Sequence, residues 1–195
     1  TLAIPKHVEK ITKSGHDNSL ETITVAADNK YYTAKDGVLY DIDVEKLICY
    51  PAGKTTAKYE VPATVLTICE GAFYNSKVGE VTPPATLTTI EEYAFSGSTN
   101  LTKISIPDSV TTIGYRAFYG CTNLTNINVS SNGIRKLESR EDFKKVYQVF
   151  TEEPYNEEYT EEEIEELYES GSAVLRMFTI KIENYDDLKF FIENA

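Results

Sequence analysis

LTKISIPDSVTTIGYRAFYGCTN, residues 101–123, is the most complete copy of a unit that this chain repeats. Two earlier copies keep the same apolar offsets, with Ala-Phe pairs at 72–73 and 94–95 against 117–118 in this copy. A clipped copy opens the chain at Ile4-Pro5. Fixed periods of about 20 to 29 residues with regular Leu and Ile are typical of a solenoid, where each unit buries its apolar face only against its neighbours.

Each unit begins with a predicted strand. Apolar and polar residues alternate with a period of two over 101–107, which directs Ile104 and Ile106 into the core. Pro107 ends the strand because it has no backbone N–H to donate. Stacked units therefore predict a parallel sheet with one strand per repeat. Ala117-Phe118 is predicted to lie on the opposite side of the unit, in a short turn or helical segment.

The same alternation identifies the residues that point outward from the sheet. Extended faces of this kind are the common binding surfaces of solenoids, and a merely solvated sheet face is the alternative. The predicted partner-binding residues of the strand face are Thr22, Thr24, Lys58, Glu60, Glu80, Thr82, Lys103, Ser105, Asn126 and Asn128.

Residues 26–57 break the period. Two β-rich runs around Asp41-Ile42-Asp43 predict a hairpin, over about 29–51, that projects from the solenoid. Its aromatic side chains offer a second contact patch, for which the candidates are Tyr31, Tyr32 and Tyr40. Packing of these tyrosines against the neighbouring repeat is the alternative interpretation.

The charge divides the chain in two. The formal net charge is −12; residues 1–133 carry 11 basic and 14 acidic residues, net −3, and residues 134–195 carry 8 and 17, net −9. This break predicts a solenoid domain at 1–133 and a small acidic domain or cap at 134–195. The acidity disfavours nucleic acid and anionic membranes as partners, and no apolar run is long enough to insert in a bilayer.

The acidic segment carries a weaker duplication. Residues 137–144 match residues 182–189, and in each copy a strand-like run precedes a helix N-cap signal. A third helix is predicted at about 160–169, so the segment is interpreted as a small α/β unit. Its dense glutamates could act as acid and base. A solvated helix face with Ile164, Leu167 and Tyr168 inward explains the same residues with no extra assumption.

The sequence offers no catalytic motif. It has no phosphate-cradling glycine-rich loop, no Gly-x-Ser-x-Gly and no dinucleotide fingerprint. The acids at 41–45 begin like a calcium loop, but Lys46 and Ala52 occupy the positions where an EF-hand needs Gly and Glu, which leaves at most weak surface calcium binding. We therefore predict no catalytic residue, no metal site and no cofactor.

The three cysteines, Cys49, Cys69 and Cys121, are odd in number and far apart in the chain. Such spacing does not suggest a disulfide framework. They are predicted to be buried thiols that fill repeat positions. The third repeat departs from this pattern because Ser98 occupies the position that Cys121 holds one unit later.

The pattern Leu-x-x-Ile-x-Ile-Pro-x-x-Val-x-x-Ile-Gly-x-x-Ala-Phe-x-Gly-Cys-x-Asn, complete at 101–123, resembles the BspA-type leucine-rich repeat family over about residues 1–130. The resemblance implies a fold of class α/β, a leucine-rich-repeat solenoid with one parallel strand per repeat of 22 to 23 residues. It also implies bacterial secreted or surface-displayed proteins that bind host or matrix proteins, or other bacteria, without catalysis.

The leading hypothesis is therefore a non-catalytic, adhesion-like binding module that engages a protein or glycan. The expected location is extracellular or at the cell surface, with any signal or anchor outside this segment. Two alternatives remain open: a passive spacer within a larger surface protein, and an enzyme or inhibitor function carried by residues 134–195.

Overall fold

The computed structural model describes residues 1–12 and 17–124, together with the backbone of 126–129. Within these ranges the chain forms strands and turns and no helix. The predicted solenoid is confirmed. The side of each unit opposite the first sheet is a turn. The helices predicted for the α/β fold class lie in residues 134–195, and the predicted domain boundary lies at 133. Both are outside the described residues.

Twelve strands build the described part of the chain. In chain order they are β1 (Leu2–Ile4), β2 (Ile23–Val25), β3 (Tyr32–Lys35), β4 (Val38–Asp41), β5 (Lys46–Cys49), β6 (Lys58–Glu60), β7 (Thr67–Ile68), β8 (Glu80–Thr82), β9 (Thr89–Ile90), β10 (Lys103–Ile106), β11 (Thr112–Ile113) and β12 (Asn126–Val129).

Each coil has three sides. The first is a parallel sheet in the order β12-β10-β8-β6, with one strand per repeat as the alternation predicts. The second is formed by β7, β9 and β11, which belong to a six-stranded sheet in the order β11-β9-β7-β5-β4-β3. The third consists of turns joined from coil to coil by backbone hydrogen bonds, such as Phe73 N–H to the Ala94 carbonyl and Phe95 N–H to the Ala117 carbonyl.

The interior confirms the predicted register. Tyr59, Val61, Val81, Ile104 and Ile106 are all buried, and the residues between them on the same strands are half-buried or exposed. Because apolar burial is the main favourable term in folding, this alternation fixes which side of the sheet faces solvent.

A column of aromatic rings runs along the interior below the third side. Phe73 and Phe95 stack with centroids 4.7 Å apart and an interplanar angle of 12°, and Phe95 and Phe118 stack at 5.1 Å and 7°. Tyr50 extends this aromatic column, with its ring 4.9 Å from that of Phe73. Each of four successive coils thus contributes one ring, and each ring stacks on that of the next coil.

The segment predicted as a projecting hairpin is instead part of the solenoid. β4 and β5 are antiparallel, as predicted, but β5 also pairs in parallel with β7, placing Leu47 beside Ile68. The Tyr50 N–H donates to the Ala72 carbonyl at 2.8 Å. The prediction that this hairpin projects was wrong, because it forms a full coil: Leu47 lies in the strand that pairs with β7, and Tyr50 supplies the aromatic ring. β4 and β3 extend the sheet of that coil.

The amino end packs on this main body but does not continue either of its sheets. β1 and β2 form their own two-stranded parallel sheet, above a small core of Ile4, Ile23 and Leu39. The β3–β4 turn lies against β2, since the Ile23 N–H donates to the Gly37 carbonyl at 2.9 Å. The prediction of one continuous sheet from Thr22 onward was therefore wrong.

A polar ladder inside the turns explains the Ser98 departure. The Cys121 thiol donates to the Phe95 carbonyl at 3.0 Å, and one coil earlier the Ser98 hydroxyl donates to the Phe73 carbonyl at 2.5 Å. Serine and cysteine thus make the same bond at the same repeat position. All three cysteines are described and none forms a disulfide, but Cys49 and Cys69 are only half-buried.

We expect Cys121 to resist a thiol-specific reagent at pH 8 until the chain unfolds, because burial raises its pKa to about 12 and the thiolate is the reactive form. Mass spectrometry after brief labelling measures this, with Cys49 and Cys69 as internal comparisons. Cys121→Ser should be tolerated. Cys121→Ala should cost about 1 kcal/mol, because it removes a buried sulfur atom and one of the two donors to the Phe95 carbonyl, which keeps the Ser98 N–H at 3.0 Å. Rapid labelling of Cys121 in the folded chain would contradict the burial.

Candidate binding surface

The strand face is the outer surface of β6, β8 and β10. Its side chains, which all belong to the predicted set, are Lys58, Glu60, Glu80, Thr82, Lys103 and Ser105. The parallel register places Lys58 beside Glu80 and Glu80 beside Lys103, so that the three form one row across the sheet. Because each side chain leaves a paired strand above a packed interior, its position on the surface is fixed.

Two ion pairs organise the charges of the strand face. The Lys103 Nζ lies 3.3 Å from the Glu80 Oε1 across two strands, and the Lys58 Nζ lies 3.1 Å from the Glu60 Oε1 along one strand. The lysine side chains remain about half exposed, at 51% and 49%. Exposed ion pairs of this kind contribute little to stability, so these groups stay available for a partner.

The structure divides the predicted partner-binding residues between two sheets. Thr22 and Thr24 lie at β2, in the separate amino-terminal sheet, and do not continue the row of Lys58. The backbone of Asn126 and Asn128 pairs with Lys103 and Ser105 in register, while their side chains lie outside the described residues. The strand face of the described side chains therefore spans three coils.

The three tyrosines predicted at the hairpin do not form one patch. Tyr31 is exposed at 43%, and the negative charge of Glu9 raises its pKa. The half-buried Tyr32 is held at its hydroxyl, which accepts from the Ile11 N–H at 3.1 Å and donates to the Glu9 carbonyl at 3.2 Å. Tyr40 is fully buried, so its assignment to partner binding was wrong and the packing alternative holds.

Tyr40 is buried because it bonds to a second interior tyrosine. Its hydroxyl forms a short hydrogen bond with that of Tyr59, which joins β4 to β6. Burial is the main cause that raises both pKa values, that of Tyr59 to about 12 and that of Tyr40 further. The pair is therefore a structural link in its neutral form.

A shallow groove beside the strand face was not predicted. It has a volume of about 460 Å³, is open along its length, and lies where each coil turns into the first sheet. Its lining consists of Thr55, Thr56, Ala57, Lys77, Gly79, Asn100 and Asn123. The available signal was the recurrence of Asn100 and Asn123 at one repeat position, which repeat consensus alone also explains.

Metal-binding geometry is not seen in the part of the chain that the structure describes: no three His, Cys, Asp or Glu side chains gather there. The acids at 41–45 serve the β4–β5 turn instead, because the Asp41 Oδ1 accepts the N–H groups of Glu45 and Lys46 at 2.8 Å each. Among the same residues, no helix is long and apolar enough to span a membrane.

The stacked coils, the aromatic column and the strand face define a leucine-rich-repeat solenoid. More specifically, the chain belongs to the BspA-type leucine-rich repeat family, whose repeat matches residues 49–146 in six copies. Leucine-rich repeat domains generally mediate protein binding, through extended faces of this kind. No curated protein matches the chain significantly.

Three solved structures are similar to this chain. A leucine-rich repeat protein from Eubacterium ventriosum is 35% identical with a TM-score of 0.62, over 65% of this chain and 35% of its own. The pneumococcal vaccine antigen PcpA is 23% identical with a TM-score of 0.53, over 67% and 39%, and shares the fold. A leucine-rich cell surface protein from Faecalibacterium prausnitzii is 26% identical with a TM-score of 0.44, over 74% and 49%. The chain thus spans less than half the length of each.

Proposed function

We propose that this chain is a non-catalytic binding module of a bacterial cell-surface or secreted protein, and that it engages a protein partner through the strand face. The observation that carries the proposal is the row of Lys58, Glu80 and Lys103, fixed by strand pairing. Strand pairing fixes the backbone from which these side chains extend, so no ordering of the backbone is needed on binding, which favours association.

The chemistry of the strand face suits recognition. Its lysines and glutamates can exchange their mutual ion pairs for charges of a partner, and Thr82 and Ser105 can donate and accept hydrogen bonds. Charged rows of this kind supply specificity and association rate more than affinity. Membership of a repeat family whose members are typically non-catalytic supports a binding role over an enzymatic one.

Two of the similar structures support a location outside the cell. One is described as a vaccine antigen and another as a cell surface protein, and both come from bacteria. A surface location would give the strand face access to host or matrix proteins and to other cells. Adhesion is the function we propose for that access.

A charge-reversal experiment tests the strand face. The full chain is used to capture partners from extracellular-matrix and cell-surface extracts, and a captured protein is then titrated with purified variants. We expect Lys103→Glu to weaken binding about tenfold or more, because it places a third carboxylate beside Glu80 and Glu60 and removes a cation from the row.

Lys35→Glu is the matched control, since Lys35 is an exposed lysine at the end of β3, away from the strand face. A charge swap, Lys103→Glu with Glu80→Lys, keeps an ion pair between the two positions, so it should fold like the wild type without restoring the partner's affinity. Equal affinity of the wild type, Lys103→Glu and Lys35→Glu for the captured protein would contradict the strand-face assignment.

A further inference from the structure

The groove beside the strand face has a lining that differs in charge from the rest of the protein. Its residues come from four successive coils and contribute hydroxyls, amides and the Lys77 ammonium, with no carboxylate among them. Residues 1–133 carry 14 acidic residues against 11 basic ones, whereas the single charged side chain in this lining is that of Lys77. A groove whose one charge is positive is suited to a ligand that itself carries negative charge.

Its shape favours a polymer over a compact ligand. Small-molecule sites are concave and bury most of the ligand, whereas this groove is open and runs from coil to coil. Lys77, Asn100 and Asn123 occupy one repeat position, at intervals of 23 residues. Strands of neighbouring coils are about 4.8 Å apart, so donors recur along the groove at that spacing.

The spacing and the lining together distinguish between two kinds of polymer. An extended peptide advances about 3.3 Å per residue and falls out of step with donors about 4.8 Å apart, whereas a hexose in a linear glycan advances by nearly the donor spacing. Protein partners also anchor aromatic or aliphatic side chains in apolar pockets. Among the described residues that line the groove, only Ala57 has an apolar side chain.

We infer that this groove binds a linear glycan bearing carboxylate groups, laid along the solenoid axis with about one sugar per coil. The Lys77 ammonium pairs with a sugar carboxylate, and the amide of Asn100 and the threonine hydroxyls bond to sugar hydroxyls. The side chain of Asn123 is fixed in position, because its Nδ2 donates to the Thr99 carbonyl at 2.8 Å. Its Oδ1 can then accept a hydrogen bond from a sugar hydroxyl.

The floor of the groove is rigid. A Cβ added to Gly79 would lie 2.8 Å from the Ala57 carbonyl oxygen, and the Gly79 N–H donates to the Thr56 carbonyl at 3.1 Å. The coils therefore meet backbone to backbone at this point, and ligand binding requires no rearrangement of the floor.

This inference rests on the proposed binding role but uses a different surface and ligand. The test is calorimetric titration of the full chain with hyaluronan oligosaccharides of two to eight sugars, which alternate carboxylated and neutral units. Neutral cello-oligosaccharides of the same lengths serve as the comparison. We expect affinity for the carboxylated series to rise from two sugars and to level off at about four to six, because four coils span three spacings of about 4.8 Å.

Two substitutions test the groove itself. Lys77→Gln removes the cation and Asn100→Asp introduces a carboxylate of the same shape, and each should weaken hyaluronan binding about tenfold, as the loss of one charge-assisted hydrogen bond does. Lys35→Gln and Asn18→Asp are the matched controls outside the groove and should bind like the wild type.

The outcomes separate this inference from the proposed function. Absence of hyaluronan binding by the wild type, equal binding of the neutral series, or unchanged binding by both groove variants would overturn the groove assignment. Capture of a protein partner, and its sensitivity to Lys103→Glu, is measured independently on the same chain. Weakened glycan binding with normal partner capture by Asn100→Asp would support both proposals.

Discussion

Phe95→Ala is expected to lower the free energy of unfolding by about 3 to 5 kcal/mol, the range of large aromatic truncations in cores. The Phe95 ring is fully buried and stacks on both Phe73 and Phe118, at 4.7 and 5.1 Å. Alanine would therefore remove two ring contacts and leave a cavity in the middle of the aromatic column. Offset and stacked ring pairs add to the effect of burial alone.

Urea unfolding followed by circular dichroism measures this loss. Phe95→Leu should cost less than Phe95→Ala because it retains much of the volume. Leu66→Ala is the control for a partly exposed apolar residue, since Leu66 is 38% exposed, and it should cost about 1 kcal/mol, well below the cost of Phe95→Ala. A loss below about 1 kcal/mol for Phe95→Ala would contradict the register of the repeats.

The regular part of the fold could be predicted because its causes are local and repeated. Alternation around Ile104 assigns the inner and outer sides of a strand, and the Ala-Phe pairs mark one buried ring in each of three coils. The strand-face residues from Lys58 to Ser105 follow from that alternation alone. Repetition strengthens each inference because every coil has to satisfy the same packing as its neighbours.

The irregular coil could not be predicted in the same way. Tyr50 occupies the position of a repeat phenylalanine, but the chain before it forms antiparallel strands that none of the other described coils has. The Asp36-Gly37 turn was recognisable, since Asp-Gly favours the two-residue hairpin turn, and both residues have positive φ, 50° and 78°. Burial of Tyr40 depended on Tyr59, a partner 19 residues away.

Backbone conformation in the turns was equally hidden. Gly71 has a positive φ of 55°, yet the equivalent positions one and two coils later hold Tyr93 and Arg116, at 53° and 52°. Bulky residues rarely adopt this region, so sequence propensity alone would not place them there. The coil-to-coil hydrogen bonds impose the conformation, as in the bond from the Tyr93 N–H to the Tyr115 carbonyl at 3.0 Å.

The groove was missed for a related reason. Its lining residues are small and polar, and each of them is explained in the sequence as part of a turn or of the repeat consensus. Their common surface arises only when four coils stack, because Thr56 and Asn123 are far apart in the chain and come to line one groove through the stacking. A charge pattern summed over equivalent repeat positions would have been the useful signal.

Stability should fall steeply above pH 10, owing to the Tyr40–Tyr59 pair. In the unfolded chain both phenols have an ordinary pKa of about 10, whereas in the folded chain burial raises the pKa of Tyr59 to about 12 and that of Tyr40 as well. Folded-state pKa values above the unfolded values mean that their contribution is fully present below pH 10. It is lost as the pH rises from 10 towards 12, because only the unfolded chain releases its protons.

The expected slope is about 1.4 kcal/mol per pH unit for each phenol. Urea unfolding at intervals from pH 8.5 to 11.5 measures it, and Tyr40→Phe with Tyr59→Phe should flatten the decline, since neither ring then carries a proton to lose. Changing both residues avoids leaving one buried hydroxyl without its partner. Tyr50 keeps part of the slope, because burial raises its pKa too.

Leu66→Ala is the control for the alkaline decline, because it removes no titratable group from the chain. It should leave the slope as in the wild type. An identical decline in the wild type and the double variant would show that the two phenols titrate alike in the folded and unfolded chains. The neutral hydrogen bond that joins β4 to β6 would then not account for the burial of Tyr40.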